Sequence, residues 1–344
     1  MVTIKDIARE AGVSFTTVSN VIHGNTKKVS QATIDKINKI MKEMNYVPNM
    51  GARMLVRNQS RIIGVISNVL ADNKKGRIYS PFTAEILGAI EKEIQNQGYY
   101  MMLYTADTMS EIETLITRWN VDGIITIGMD TASCRILGGM TEIPAVYTDC
   151  YFTEEEPYLN VGTEDEKGAY EAVRYLIKKG HREIGYVTDT IYDRNRRPEG
   201  VGDFRLKGFV KAMTEAGLPV REDLIFTGDK QVRKKQELFE RIYRKQGEFT
   251  ALAFCYDYYA IEMMDVFHHK GIRIPEDFSI IGFDDIDMAR LTSPRLTTIH
   301  QGMSEKGKTA VQQLLRKIRG EEIKEKTIRL PVSLIERETV KNPI

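Results

Sequence analysis

Thr16, Ser19, Asn20 and His23 recur at i, i+3, i+4 and i+7, the spacing that sets four side chains in one stripe along a helix. All four are short and polar, and none carries a fixed charge. Hydroxyls of this kind donate to or accept from phosphate oxygens and base edges, an Asn amide can pair bidentately with adenine, and a ring such as that of Phe15 can touch a thymine methyl. A second set of reactive residue types follows short apolar runs further along: Ser67, Tyr104, Asp149, Thr188, Tyr256, Asp257, Asp284 and Asp285. Aromatic faces stack on sugar rings, and carboxylates or arginines bond vicinal hydroxyls. Each of these residues also has a plainer reading, since an Asp after a strand commonly caps the next helix.

Other chemistries find less support. The five histidines (23, 181, 268, 269 and 300) lack metal-ligand spacing, and the adjacent pair His268–His269 points apart on a helix. His181, in G-H-R-E, reads as a residue that fixes the turn before a strand. Cys134, Cys150 and Cys255 show no paired spacing and read as small buried residues in a reducing cytosol. Phosphate-cradling, dinucleotide-binding, zinc-protease and nucleophile-elbow motifs are all missing. The sequence therefore assigns no catalytic residue, no metal and no cofactor. No apolar run approaches the roughly 20 residues of a membrane span, and charge interrupts the apolar pattern of MVTIKDIAREAG, so a secretory signal is not expected.

The polar stripe needs a scaffold, and residues 1–48 supply one. Thr3 can cap a helix with Asp6 in its first turn, and Ile4, Ile7, Ala8 and Ala11 form its inner face. Gly12 is a natural stop. Ser14 can cap a second helix whose Val18, Val21 and Ile22 point inward, opposite the polar stripe. A third helix begins near Ser30, with Ile34, Ile37, Ile40, Met41 and Met44 inside, and Pro48 requires it to end by Tyr46. Two short helices across a Gly turn, closed by a third, make an all-α helix-turn-helix head. Residues 1–60 hold nine Lys/Arg against four Asp/Glu, a balance of +5 that leaves −4 for the rest of a chain of net charge +1. A basic head on a mildly acidic body suits a polyanionic partner. The alternatives are a small helical domain that meets only water and a solvated basic surface.

Residues 49–60 form a connector. MGARMLVR (50–57) is too short and too glycine-interrupted to be a stable helix alone, and an ordinary flexible linker is the alternative. From Arg61 onward short strands (62–67, 99–104, 123–127, 145–148, 183–188, 251–255, 279–283) alternate with helices (82–97, 165–179, 205–217, 257–271). That rhythm means parallel sheet with helices on both faces, and the number of elements calls for two doubly wound parallel-sheet subdomains. Ligands of such α/β bodies bind beyond the carboxyl ends of the strands.

"TIKDIAREAGVSFTTVSNVIHG" with "NYVPNMGARML" resembles the DNA-binding head of the lac/gal repressor family of bacterial transcription regulators. "VDGIITIG", "GHREIGYV", "RLKGFVKAM", "IGFDDIDMARLTSPRLTTIHQ" and "LPVSLIERET" extend the likeness through a body similar to periplasmic sugar-binding proteins. The resemblance implies double-stranded DNA as partner, a pseudo-palindromic operator read by a homodimer, with contacts from Ser14, Phe15, Thr16, Thr17, Ser19, Asn20, His23 and Tyr46. Arg53 and the minor-groove wedge Leu55 would act from a hinge helix. It implies a small-molecule effector, a carbohydrate, held by Phe82, Asp149, Arg205, Tyr256, Asp257 and Asp284, with a nucleobase, nucleoside or sugar phosphate as the alternative. A solute-binding protein without a DNA role is the competing class. The body (61–344) would comprise a first subdomain of about 61–161 and 291–325 and a second of about 162–290 and 326–340, with helix 303–319 in the first. Thr163 stands where the family usually has Asp, and the loops at 70–82 and 189–205 are long.

Overall fold

A computed structural model of the chain describes residues 2–22, 24–46, 60–67, 80–106, 108–193, 198–228 and 232–343. His23, Arg53 and Leu55, and with them the expected hinge helix, lie outside the described residues. The chain divides into two compact units, residues 1–60 and 61–344.

The first unit is built on α1 (Ile4–Ala11), α2 (Phe15–Ile22) and α3 (Gln31–Glu43). Thr3 and Asp6 form a reciprocal capping box at the start of α1, an arrangement worth about 1 kcal/mol. Gly12 ends α1 at φ +65°, and a Cβ there would meet nothing within 4 Å. The glycine thus answers the left-handed backbone and not a lack of space. Ser14 caps α2 through its Oγ to the Thr17 N–H, 3.1 Å, and Ser30 caps α3 in the same way. Ile7, Ala8, Ala11, Val18, Val21, Ile37 and Ile40 close the core.

The second unit holds two lobes. In the first, β1 (Ile62–Ser67), β2 (Tyr100–Thr105), β3 (Gly123–Ile127), β4 (Ala145–Thr148), β5 (Leu159–Thr163) and β11 (Thr327–Leu330) form one sheet in the order β11-β5-β4-β3-β1-β2, every neighbouring pair parallel. Its helices are α4 (Pro81–Asn96), α5 (Met109–Trp119), α6 (Thr131–Met140) and α11 (Met303–Ile318). Side chains alternate across each strand. Ile63, Val65, Ile125 and Val146 pack with α4 and α11, while Ile66, Ile124 and Tyr147 pack with α5 and α6.

The second lobe carries a parallel sheet in the order β7-β6-β8-β9, from β6 (Ile184–Thr188), β7 (Ile225–Thr227), β8 (Ala251–Phe254) and β9 (Ser279–Ile281). α7 (Asp165–Lys178), α8 (Val201–Glu215), α9 (Val232–Arg244) and α10 (Asp257–His269) belong to it. So does the antiparallel pair of β10 (Thr298–His300) and β12 (Ser333–Ile335).

Three expectations are corrected here. The chain returns to the first lobe at about residue 302 rather than 290, because Leu296 and Ile299 pack in the second lobe's core and β10 pairs with β12. It leaves again after Leu330 rather than near 325, because β11 extends the first sheet by pairing with β5. Helix 205–217 in fact begins at Val201: the Asp203 carboxylate accepts the N–H groups of Glu199 (3.0 Å) and Gly200 (3.1 Å) and starts the helix a turn early.

Candidate functional site

In the head, α2 turns Val18 and Val21 inward and leaves its other side open. Phe15 is 50% exposed, Ser14 and Thr16 are exposed, and Thr17, Ser19 and Asn20 are half-buried. The hydroxyls of Ser14 and Thr17 bond each other at 2.8 Å while Ser14 caps the helix, so these two groups already serve the fold. Phe15, Thr16, Ser19 and Asn20 compose the free edge. Tyr46, also expected at a contact, packs half-buried against the head's core. The neighbouring Lys27, Lys28, Lys36, Lys39 and Lys42 are exposed, a distribution that attracts a polyanion.

The body's candidates lie where the lobes meet. Phe82, in the first turn of α4, packs against the cores of both lobes. Arg205, in the second turn of α8, is 2% exposed. Its Nε donates to Asp165 Oδ1 at 2.8 Å and its Nη1 to Asp284 Oδ1 at 3.1 Å. The guanidinium also lies 3.6 Å from the centre of the Phe283 ring and 5.2 Å from that of Tyr256. The Tyr256 hydroxyl reaches Asp189 at 3.2 Å.

From Asp284 the network continues into the first lobe. Gln301 Nε2 donates to Asp284 Oδ1 at 2.5 Å, and the Lys306 ammonium donates to Gln301 Oε1 at 2.7 Å and to Asp149 Oδ1 at 2.6 Å. A second bridge runs through Tyr151. Its hydroxyl donates to Asp165 Oδ2 at 2.5 Å, and its ring stacks on Phe204 with centres 3.8 Å apart. Burial, aided by the charge of Asp165, holds the Tyr151 phenol well above its usual pKa, so it remains a donor. Burial pushes Asp284 up against the pull of Arg205 and Lys306.

Five of the six expected effector residues, Phe82, Asp149, Arg205, Tyr256 and Asp284, thus gather in one connected cluster. Asp257 does not join them. It is fully buried, it accepts the Ile286 N–H at 3.1 Å on Oδ2, and Thr298 donates to Oδ1. Burial, then the charge of Asp284, raises its pKa to about 8. Its carboxyl ties α10 to the chain after β9 and to β10, and both oxygens are engaged inside the lobe.

Tyr151, Asp165, Gln301 and Lys306 were not foreseen as site residues. For two of them a signal exists in the pattern. Lys306 interrupts the buried stripe Met303, Gly307, Ala310, Val311, Leu314, and Asp165 interrupts Gly168, Ala169, Ala172, Val173, Leu176. A charged residue in the first turn of an otherwise apolar helix face marks a buried partner. Among the described residues the histidines hold no such place; His181 bonds Thr250 (2.8 Å) and the Lys341 carbonyl (2.9 Å) and serves the fold. Among the described residues no group of three His, Cys, Asp or Glu side chains is arranged to hold a metal, and no helix is long and apolar enough to cross a membrane.

Comparison with known proteins decides the class. The family model described as bacterial regulatory proteins, lacI family, matches residues 3–49, and that of the periplasmic binding protein-like domain matches residues 173–340. The HTH-type transcriptional repressor PurR of Photobacterium profundum is 32% identical over 350 residues, covering 99% of each chain. The chain belongs to the lacI family of bacterial regulatory proteins. It is a DNA-binding transcription regulator of that family, with a helix-turn-helix head and a two-lobed periplasmic-binding-protein-like body.

Solved structures agree on the fold over nearly the whole length. The lac repressor dimer bound to operator and the anti-inducer ONPF superposes with a TM-score of 0.83 at 26% identity, covering 99% of both chains. A lacI family regulator from Enterococcus faecium with bound ribose gives 0.69 at 27% identity, covering 82% of this chain and 100% of its own.

Proposed function

We propose that this regulator is a repressor that binds a near-palindromic operator as a homodimer, and that a small molecule taken up between its two lobes sets operator affinity. The observation that carries the reading is the continuous polar path from Arg205 through Asp284, Gln301 and Lys306, all buried, to the half-buried Asp149, which joins the lobes. A ligand that inserts its own hydrogen-bonding groups into this path has a different affinity for the joined and the parted lobes, and such differential affinity is the only means by which it can act. The lac repressor dimer solved on operator with a bound small molecule supports the same division of labour. In the head, the free edge of Phe15, Thr16, Ser19 and Asn20 would read base edges, with Arg53 and Leu55 acting from the connector.

For the ligand we favour a sugar or oligosaccharide, because carboxylates, a guanidinium and aromatic faces converge, and because a family member holds ribose. A nucleobase or nucleoside is the second reading, favoured by the full-length likeness to repressors named PurR and by the Tyr151–Phe204 aromatic pair.

The test is an operator selected from random duplexes, followed by a fluorescence titration with and without sugars, oligosaccharides, nucleobases and nucleosides. Leu55→Ala should weaken operator binding and leave ligand binding intact, whereas Arg205→Ala should abolish the ligand response and leave operator binding intact. No preference for any duplex would sink the whole reading; a ligand response that survives in Arg205→Ala would move the site elsewhere.

A further inference from the structure

Arg329 stands on β11 opposite Gly162 of β5, residue for residue in the parallel register. A Cβ at position 162 would sit 2.2 Å from Arg329 Nη1, so the glycine is what lets the guanidinium lie across bare backbone. From there Nη2 donates to the Cys150 carbonyl at 2.8 Å, and the guanidinium carbon rests 4.2 Å from the centre of the Tyr151 ring. Nη1 is buried and has no acceptor among the described residues. A buried donor left without an acceptor carries its full desolvation penalty, and a guanidinium fork is the side chain best matched to the paired oxygens of a carboxylate or phosphate.

The surroundings favour an anion. Asp149 Oδ1 lies 3.5 Å from the same point above Gly162, and it is held by the fully buried Lys306. Lys306 bonds Asp149, and Arg329 Nη1 reaches the same space above Gly162 without pairing with it; two cations to one carboxylate leave a balance of +1 at the carboxyl end of the first sheet. On the second lobe Arg205 faces two carboxylates, Asp165 and Asp284, for a balance of −1.

We infer that Arg329, with Lys306 behind Asp149, is the anchor for an acidic group, a phosphate or a carboxylate, on the small molecule that the lobes take up. The acidic end meets the first lobe, and the hydroxyl or amine end meets Asp165 and Asp284. This rests on the reading that a ligand binds between the lobes, and it narrows that ligand to an acidic one. Arg329 is the specificity-determining residue: a neutral sugar or base can accept one of its N–H groups, but only an acidic group meets the charge and the fork together.

The full chain would be titrated with phosphate and with acetate at ionic strength fixed by chloride. Matched pairs follow: glucose against glucose 6-phosphate and glucuronate, adenosine against adenosine 5′-monophosphate. The anions and one acidic member of a pair should bind and raise the melting temperature, its neutral partner binding at least about tenfold more weakly, the worth of one charge-assisted hydrogen bond. Arg329→Met should remove that margin, and Arg329→Lys should restore part of it. The Tm of each ligand-free variant reports whether it folds. Neutral partners binding as tightly as acidic ones, no anion binding at all, or anion binding unchanged in Arg329→Met would each overturn the anchor. A neutral molecule that shifts operator affinity would sink the anchor and keep the ligand-controlled repressor, whereas a chain whose operator affinity answers to no small molecule would sink the latter.

Discussion

The head and the body both carry polar residues at the positions expected to bind something, but they keep them in opposite states. On α2 of the head, Phe15, Thr16, Ser19 and Asn20 face outward on a helix already fixed by its own cap and its apolar side. Their partner has only water to displace. In the body, Arg205, Asp165, Asp284, Gln301 and Lys306 are buried, Asp149 is half-buried, and all are bonded to one another. Apart from Arg329 Nη1, a ligand there must exchange bonds with groups that are already satisfied. The first arrangement suits a surface that docks without rearranging, and the second suits a switch, in which binding is inseparable from a change in how two lobes are held.

The contrast fails most visibly if the buried network contributes nothing. Arg205→Met removes the cation and leaves Asp165 and Asp284 buried without it. Breaking a buried pair on one side costs about 3–5 kcal/mol, so urea unfolding should show a loss of that size in the body. Changing Asp165 to Asn and Asp284 to Asn in the same background should recover much of it. A loss below about 1 kcal/mol, the value of an exposed pair, would mean that the network is solvated and the body's site resembles the head's.

The next test concerns Asp257, whose pKa is raised to about 8 from an ordinary 3.8. A carboxyl whose folded value is raised contributes stability in its protonated form. That contribution is whole below about pH 4 and is lost as the pH rises through about 8. Asn at this position cannot ionise, and its amide can still accept the Ile286 N–H and donate to Thr298. Thermal melts should therefore show the wild type losing up to about 1.4 kcal/mol per pH unit relative to Asp257→Asn on approaching pH 8. Parallel profiles would show that Asp257 is ionised throughout and that its neighbours compensate fully.

The degree to which each region was legible in the sequence follows from the same contrast. The head is made of local signals, Thr3 and Asp6 at one cap, Gly12 at a stop, and Val18 and Val21 against Ser19 and Asn20, and all act within a helix length. In the body, the alternation of strands and helices told the fold class, and strand ends pointed to Asp149, Tyr256 and Asp284. What escaped was set by pairing at long range. β11 has no strong apolar pattern and is a strand because β5 offers an edge. Lys306 and Asp165 are site residues because their charges meet Asp149 and Arg205, 157 and 40 positions away along the chain. Asp257 looked like Asp284 in sequence, both following a strand and both buried; only their partners separate them, Ile286 and Thr298 within the lobe for Asp257, Arg205 and Gln301 for Asp284.

For the head, Asn20→Ala sharpens the comparison at moderate size. A bidentate amide contact to a base is worth about 1–3 kcal/mol of discrimination. Binding to the selected operator should weaken by that amount, with non-specific DNA binding and thermal stability within about 0.5 kcal/mol of wild type. An equal loss on all duplexes would make Asn20 a phosphate-positioning residue.

Ser14 gives the smallest effect and the finest distinction, because it is both an expected DNA contact and a cap. Its Oγ accepts the Thr17 N–H at 3.1 Å and bonds the Thr17 hydroxyl at 2.8 Å. Ser14→Ala should therefore lower the stability of α2 by about 1 kcal/mol, the usual worth of such a cap, read as faster amide hydrogen exchange at Thr17 and Val18. If the cap is its whole role, Ser14→Asn, which caps equally well, restores both the exchange protection and the operator affinity. If its hydroxyl also touches DNA, Ser14→Asn restores the protection alone. An alanine variant with unchanged exchange would show instead that α2 is held by Val18 and Val21 without its cap. The readiness of the head's outer edge would then come from packing, whereas the body's site is held by its own bonds.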